Sequence, residues 1–187
     1  GLGSSAASAA GVVVAANELL GKPFDKKQLV AFAMEGEVLA SGSRHADNLA
    51  PCIYGGLVLI RDTATLDIIP IRTSGLYISV AHPQIEIKTS YAREILPKDV
   101  PLKTAVTQWA NVAGLVTGFL TNDHALIGRS LVDVIIEPVR IKLIPGFDEV
   151  KSKCLAAGAL GGGISGSGPS LFMLSKEKQT AKAVQRE

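Results

Sequence analysis

A glycine- and serine-rich octapeptide, Gly-Leu-Gly-Ser-Ser-Ala-Ala-Ser at residues 1–8, opens the chain and runs into an alanine-rich stretch. Glycines have no Cβ, so their backbone N–H groups can approach an anion, and the N-terminus of a following helix adds partial positive charge. The hydroxyls of Ser4 and Ser5 suit an N-cap, a phosphate oxygen or Mg²⁺. The segment is therefore either a phosphate-binding loop or an ordinary glycine turn capped by serine.

Polar side chains in the middle of the chain form a second group of candidates. Residues 40–48 lack core periodicity and are predicted to form a loop, in which His45 carries an ionisable imidazole. Arg93 and Arg140 suit a carboxylate ligand, because a guanidinium forms planar paired hydrogen bonds. Thr89 precedes Arg93 by one helical turn, so the two side chains share a face if this stretch is helical. The ordinary alternatives are a structural hydrogen bond for His45 and surface salt bridges for the arginines.

A second segment of small residues, Gly-Gly-Gly-Ile-Ser-Gly-Ser-Gly-Pro-Ser, occupies residues 161–170. It is predicted to be a glycine-rich loop that leads into an apolar strand at residues 171–174. Two such loops far apart in one small protein are hard to explain as ordinary turns. Neither matches the phosphate-loop pattern GxxxxGK(S/T), which argues against a P-loop nucleotide hydrolase.

The elements that must position these groups follow from apolar periodicity and from cap residues. Asp25 is predicted to be the N-cap of a helix with an apolar stripe at residues 29–34, and a domain boundary is placed near Gly75. The remaining helices are predicted at residues 6–20, 49–54, 90–96, 102–120, 123–133, 147–157 and in the tail 175–187. Strands are predicted at residues 57–60 and 66–71, as a hairpin, and at residues 76–81.

Three ring-bearing residues are interpreted as structural rather than functional. His82 precedes Pro83 at the end of a strand, and His124 lies at the start of a helix. Trp109 stands at helical spacing from Val106, Val112 and Ala113 and is predicted to pack in a core.

Bulk composition sets limits on the class of protein. The 187 residues are 47% hydrophobic and carry a formal net charge of +2, which fits a compact α/β or α+β protein and does not predict nucleic-acid binding. The longest apolar run, near residues 6–16, is too short to span a bilayer. Cys52 and Cys154 form no disulfide framework and no metal-ligand spacing, so a reducing cytosol is the simplest location.

Taken together, the two small-residue loops resemble those of the GHMP small-molecule kinases. The motifs between them, at residues 41–51 with Gly55-Gly56, at 89–97, and at 137–140 with 144–147, look like those of the homoserine kinase branch. The resemblance runs from residue 1 to about residue 175. It implies an α+β, two-domain fold: a truncated ATP-binding domain similar to domain 2 of ribosomal protein S5 at residues 1–75, and a ferredoxin-like domain, also truncated, at residues 76–187.

The resemblance implies ATP and Mg²⁺ as cofactors and L-homoserine as the small-molecule substrate. It assigns the ATP phosphates to Gly1, Leu2, Gly3, Ser4, Ser5 and Ala6. It assigns the metal to Ser5, with Ser4 as the alternative, and to Glu37, whose alternative is a solvated helix residue like Glu35. It assigns the substrate to His45, Asp47, Asn48, Thr89, Arg93 and Arg140. The loop that supports the phosphate site would contain Gly163, Ser165, Gly166, Ser167 and Gly168.

Asn48 distinguishes this chain within the superfamily. Relatives such as mevalonate kinase have a catalytic aspartate seven residues before the Gly-Gly pair, and here that place holds an asparagine, which cannot accept a proton near neutral pH. Homoserine kinases resemble this pattern and are thought to work without a dedicated base. The catalytic assignment is therefore Asn48, Glu37 and Ser5, with the adjacent Asp47 as an alternative base.

Two other functions remain open on the sequence: another GHMP kinase acting on a different small alcohol, and a non-catalytic ligand sensor. The family's first motif and adenine pocket are expected upstream of Gly1, so the chain alone is expected to be inactive. The resemblance allows a homodimer, predicts neither a nucleic-acid nor a membrane partner, and places the enzyme in the cytoplasm, or in a plastid if the source is a plant.

Overall fold

The computed structural model of the chain describes residues 2–41, 44–73 and 75–187, except for the side chains of residues 39–41, 89 and 90. These residues form two compact units, one at Gly3–Arg72 and the other at Thr73–Glu187 together with Leu2. Among the helices within these ranges, none combines the length and the apolar character needed to cross a bilayer.

The N-terminal unit packs three helices and a hairpin around one apolar cluster. Its elements are α1 (Ser4–Leu19), α2 (Lys26–Ser41), α3 (Leu49–Tyr54), β1 (Leu57–Asp62) and β2 (Asp67–Ile71). Small side chains let the helices approach closely, and Ala6 of α1, Ala33 of α2 and Leu49 of α3 belong to the same core. The predicted hairpin is confirmed, because β1 and β2 pair antiparallel.

The start of α2 follows from its sequence. The Asp25 Oδ1 accepts the main-chain N–H of Gln28 at 2.8 Å, and the Gln28 Oε1 accepts the N–H of Asp25 at 2.9 Å. This reciprocal pair satisfies two N–H groups that a helix start otherwise leaves without partners. The predicted N-cap at Asp25 is confirmed.

The C-terminal unit places a three-stranded antiparallel sheet against helices. Its elements are β3 (Tyr77–Ala81), α4 (Thr89–Glu94), α5 (Leu102–Thr121), α6 (His124–Ser130), α7 (Glu137–Arg140), a 3₁₀ turn (Ile141–Leu143), α8 (Phe147–Ala156), β4 (Gly161–Ile164), β5 (Leu171–Ser175) and α9 (Lys178–Val184). The strand order is β3-β5-β4. Two apolar clusters, one around Cys154 and Met173 and one around Ile144 and Phe147, form its core.

Glycines 161–163 form a buried strand, which corrects the prediction that residues 161–170 are all loop. A Cβ on Gly162 would collide with the main-chain oxygen of Phe172 on the neighbouring strand. A Cβ on Gly163 would lie 2.8 Å from the Glu137 Oε2, in a place that this carboxylate fills. The glycines are therefore explained by close packing around β4, and the loop is confined to residues 165–170.

Two predicted helix starts and ends also differ from the structure. The N-cap of α1 is Gly3, with no side-chain cap hydrogen bond, so Ser4 and Ser5 lie in the first turn and do not cap it. The helix predicted at residues 123–133 ends at Ser130. Beyond it, the Asp133 carboxylate accepts the N–H groups of residues 135–137, and its side chain therefore organises the next turn.

The prediction that Trp109 packs in a core is wrong for the described residues. Its side chain is 62% exposed, and Val106 and Val112 are also exposed. The helix α5 packs on α6 through its glycines instead: a Cβ on Gly118 would lie 2.9 Å from the Ile127 Cγ1. Close approach through a small-residue face leaves the larger apolar side chains of α5 on the opposite side.

Candidate active site

The loop before α1 brings its glycine into contact with Asn48. Gly3 has φ of 66° and ψ of 35°, a left-handed conformation that favours glycine, and its carbonyl accepts the N–H of Ala7 at 2.9 Å. A Cβ on Gly3 would lie 3.0 Å from the Asn48 Oδ1. Both the backbone and the neighbour therefore require glycine here, and the predicted phosphate loop and Asn48 are adjacent. Gly1 lies outside the described residues.

The first turn of α1 presents main-chain donors rather than a single side chain. A helix that begins at Ser4 has no carbonyl one turn earlier for its first N–H groups, and its dipole adds positive potential at the same end. The side chains of Leu2, Ser4 and Ser5 are exposed at this end, whereas Ala6 is only 2% exposed and belongs to the core. Ala6 can therefore contribute only its main chain to a ligand.

Glu37 and Ser5 line one cleft of the N-terminal unit, together with the facing residues Ser8, Ala9, Val12, Val13, Phe32, Ala33 and Gly36. Glu37 is only 8% exposed, so the alternative that it is a solvated helix residue is wrong. Glu35, two residues earlier, is exposed and forms an ion pair with Arg44, as a surface residue does.

The oxygen donors of this cleft fit a hard divalent cation. A buried carboxylate and a hydroxyl are ligand types that Mg²⁺ accepts, and Mg²⁺ usually completes its shell with water and phosphate oxygens. Within residues 2–41, 44–73 and 75–187 there is no cluster of three or more His, Cys, Asp or Glu side chains able to hold a metal. A cation at Ser5 and Glu37 would consequently depend on a bound ligand for much of its coordination.

The segment before α3 holds three of the predicted substrate residues in one turn. His45 is half-buried, whereas Asp47 and Asn48 are exposed. The main-chain N–H of Asn48 donates to the Oδ1 of the preceding residue, Asp47, at 3.1 Å. Asn48 is the N-cap residue of α3. Buried Ala46 anchors the turn by accepting the N–H of Ala50 at 2.8 Å. Gly42 and Ser43 of the predicted loop lie outside the described residues.

Two main-chain carbonyls hold the Arg140 side chain of the C-terminal unit. Its Nε donates to the Ala92 carbonyl at 3.3 Å, and its Nη1 donates to the Gly166 carbonyl at 2.7 Å. Burial lowers the pKa of Arg140, the Asp133 carboxylate raises it, and the charge of Arg93 lowers it further. Because arginine stays protonated in proteins, the positive charge is retained at a cost that an anion would relieve.

Arg93 lies on α4 beside the buried Ala92, whose carbonyl accepts from Arg140. The helix predicted to place Thr89 and Arg93 one turn apart is confirmed. The Thr89 side chain is not among those that the structure describes. Arg93 is exposed and close enough to Arg140 to affect its pKa. Two guanidinium groups therefore gather at one place in this unit, beside a cleft of about 170 Å³ that Arg140 lines.

A hairpin loop between β4 and β5 carries four of the five predicted supporting residues: Ser165, Gly166, Ser167 and Gly168. The Ser165 N–H donates to the Ser170 carbonyl at 2.8 Å, and the Gly168 N–H donates to the Ser165 carbonyl at 3.0 Å. Gly166 and Gly168 have φ of 59° and 84°. Gly163 is not in this loop; it lies in β4 against Glu137, which forms an ion pair with Lys151.

Sequence reasoning missed the contact that holds the base of this hairpin. The His82 Nδ1 lies 2.8 Å from the Ser170 Oγ, and Ser170 is completely buried. The pairing of Ala81 with Leu171 places the next pair, His82 and Ser170, opposite each other. The register of β3 on β5 is therefore the information that would have predicted this contact. Nor did the sequence identify Glu137 and Lys151 as a partly buried ion pair.

The chain is similar in sequence and in structure to known proteins. The chain matches the model of the GHMP kinases N terminal domain at residues 1–56 and the model of the GHMP kinases C terminal domain at residues 115–187. It is 58% identical over 184 residues to a homoserine kinase of Chlorobium phaeovibrioides and 56% identical over 185 residues to one of Chlorobaculum tepidum. It also resembles the crystal structure of a homoserine kinase from Cytophaga hutchinsonii, with 52% identity and a TM-score of 0.94.

These similarities cover almost all of the chain but not all of the relatives. The two curated relatives are matched over 98% of this chain, and the crystal structure over 100%. In return, the chain spans 57% and 58% of the curated relatives and 61% of the crystallised chain.

Proposed function

The chain belongs to the GHMP kinases, and we propose that the protein of which it is part is a homoserine kinase, transferring the γ-phosphoryl group of ATP to the side-chain hydroxyl of L-homoserine. The product would be O-phospho-L-homoserine, an intermediate of threonine biosynthesis. The observation that carries the proposal is identity above one half to homoserine kinases across 98% of the chain. The positions of Asn48, Arg93 and Arg140 support it, because they separate this branch from the relatives that use an aspartate base.

The N-terminal unit is assigned to ATP. The main-chain N–H groups at residues 1–6 would bind the phosphates at the start of α1, where the helix dipole favours anions. Ser5 and Glu37 would hold Mg²⁺, which supplies neutralisation of charge on the β- and γ-phosphate oxygens when it is bound. Glu37 is buried and shares a cleft with Ser5, which supports this pair over the exposed Glu35.

The arginines are assigned to the carboxylate of homoserine. Arg140 is already oriented by the Ala92 and Gly166 carbonyls, so it loses little side-chain freedom when a carboxylate binds. Arg93 adds a second positive charge beside it. Thr89 would assist at the same end of the substrate. The amino and hydroxyl ends are assigned to His45, Asp47 and Asn48.

Phosphoryl transfer by this set of residues would proceed without a dedicated base. In a loose transition state the nucleophile loses its proton late, so positioning of the hydroxyl can carry most of the rate. Asn48 can orient that hydroxyl through its carboxamide but cannot remove the proton. Asp47 is the competing candidate for a base, and its carboxylate already accepts the main-chain N–H of Asn48.

The proposal is tested by ADP release from the full-length protein with homoserine, mevalonate or galactose as acceptor. We expect Mg²⁺-dependent turnover that is fastest with homoserine. Faster turnover of mevalonate or galactose would mean a different GHMP kinase, and homoserine binding without turnover would indicate a ligand sensor.

The proposed cellular setting is the cytoplasm. Both Cys52 and Cys154 are free thiols, which suits a reducing compartment. The substrate and product are small molecules, and we propose no nucleic-acid or membrane partner; a homodimer is consistent with the family.

A further inference from the structure

His82 occupies a place in the sheet that couples it to the glycine hairpin. It directly follows the last residue of β3, and the pairing of Ala81 with Leu171 continues to His82 opposite Ser170. The 2.8 Å contact between the His82 Nδ1 and the Ser170 Oγ gives this completely buried hydroxyl a hydrogen-bond partner. Buried hydroxyls rarely go without one, because their desolvation is then uncompensated.

Ser170 in turn closes the base of the hairpin. Its carbonyl accepts the N–H of Ser165, whose own carbonyl accepts the N–H of Gly168. The carbonyl of Gly166, which lies within this loop, accepts the Arg140 Nη1 at 2.7 Å. A continuous series of hydrogen bonds and peptide units thus runs from His82 through the loop to the guanidinium.

We propose that His82 is a positioning residue for Arg140. By holding Ser170, it fixes the hairpin so that the Gly166 carbonyl orients the guanidinium toward an incoming carboxylate. The inference rests on the proposed function only in assigning the homoserine carboxylate to Arg140. His82 itself contacts neither substrate nor nucleotide in this proposal, so its loss changes substrate affinity and leaves the chemical step intact.

The kinetic test compares variants of the full-length protein. His82→Ala should raise the KM for homoserine roughly five- to ten-fold, the effect of losing one hydrogen bond to a buried hydroxyl, with kcat and the KM for ATP within about two-fold. His82→Asn should restore most of the affinity, because its carboxamide can take the place of the Nδ1. Ser170→Ala should match His82→Ala, and the double variant should be no worse than either, since both remove one interaction.

His124→Ala provides the matched control for the loss of a histidine from the same unit. It should leave the KM for homoserine unchanged. If His82→Ala behaves in the same way, or if His82→Asn fails to restore the affinity, the positioning role is wrong and His82 only stabilises the fold.

Hydrogen exchange of the hairpin amides gives a readout that does not require activity. His82→Ala and Arg140→Ala should each speed exchange at Ser165 and Gly168 roughly ten-fold or more, with the β3–β5 amides unchanged. Unchanged exchange in His82→Ala overturns the inference. If the wild-type protein does not phosphorylate homoserine, the proposed function fails, and the coupling of His82 to the loop is still decided by this exchange.

Discussion

The two compact units prepare their candidate ligand groups in opposite ways. In the N-terminal unit the proposed anion-binding groups are main-chain donors at the start of α1, and the nearby Ser4 and Ser5 side chains are exposed. In the C-terminal unit the charged group is a side chain, Arg140, held in advance by two main-chain carbonyls. A main-chain site is sensitive to changes in backbone conformation, whereas a side-chain site is lost with a single truncation. Glu37, a buried carboxylate, is the exception in the first unit.

The largest effect is expected at that exception. Glu37→Ala should lower kcat by about 100-fold or more, because a divalent cation contributes several kcal/mol of charge stabilisation and would lose its only carboxylate in the proposed set. The measurement is kcat against Mg²⁺ concentration in the full-length protein. Glu35→Ala, two residues away and on the surface, is the control and should leave kcat and its dependence on Mg²⁺ unchanged. An unaltered Mg²⁺ requirement in Glu37→Ala would remove this residue from the metal site.

Truncation of Arg140 should weaken the binding of homoserine, which is assigned to the C-terminal unit, and not that of ATP, which is assigned to the N-terminal unit. Arg140→Ala should raise the KM for homoserine roughly 10- to 150-fold, corresponding to about 1.5–3 kcal/mol for hydrogen bonds to a charged group. The KM for ATP should change little. Arg129→Ala removes an exposed arginine of the same unit and should have no effect on either constant. Equal weakening of both substrates would contradict the division of labour.

Gly163→Ala tests whether this glycine serves the fold or the nucleotide. Its Cβ would press on the Glu137 carboxylate, which is paired with Lys151, so we expect a loss of about 1–3 kcal/mol in the free energy of unfolding. Urea unfolding of the full-length protein measures it. A fully stable variant with impaired ATP binding would instead give Gly163, from its place in β4, a role in supporting the phosphate site.

Substitution of the loop glycine tests the main-chain site more gently. Gly3→Ala forces a left-handed φ of 66° on alanine and presses on Asn48, which should raise the KM for ATP roughly five-fold, since alanine pays about 1 kcal/mol in this conformation. Gly11→Ala lies within α1 with no atom within 4 Å of the new Cβ, and should stabilise the protein by about 0.5–1 kcal/mol. Similar kinetics for the two variants would argue against a main-chain phosphate site.

The smallest effect is expected at Asp47. Asp47→Asn should keep kcat within about three-fold of the wild type across the pH range, because the proposed reaction needs no dedicated base. A general base typically contributes 100-fold or more. A loss of that size, with an unchanged KM for ATP, would transfer the base role to Asp47.

Local features of this protein were readable from the residues because their causes are local. The Asp25–Gln28 pair starts α2 within four residues, α3 spans the predicted Leu49–Tyr54, and the β1–β2 hairpin closes over a short turn. Cap geometry and side-chain period act over a few positions, so they survive without knowledge of the fold. The glycine- and serine-rich motifs likewise identified the GHMP kinases. The roles of the site residues remain predictions that the experiments above address.

Sequence alone, then, determined the family and the short-range elements. The tertiary structure decided which side chains have hydrogen-bond partners from distant parts of the sequence and which lie outside the core. Arg140 contacts Ala92, which is 48 positions away in the sequence, and His82 contacts Ser170, which is 88 positions away. A local sequence pattern cannot predict contacts over such separations. Gly163 lies in a strand because β4 pairs with β5, and Trp109 is exposed because α5 packs on α6 through its glycines. Both outcomes depend on how elements pack against each other, which the residue pattern did not predict. Burial and strand register are properties of the folded chain, and only its three-dimensional arrangement specifies them.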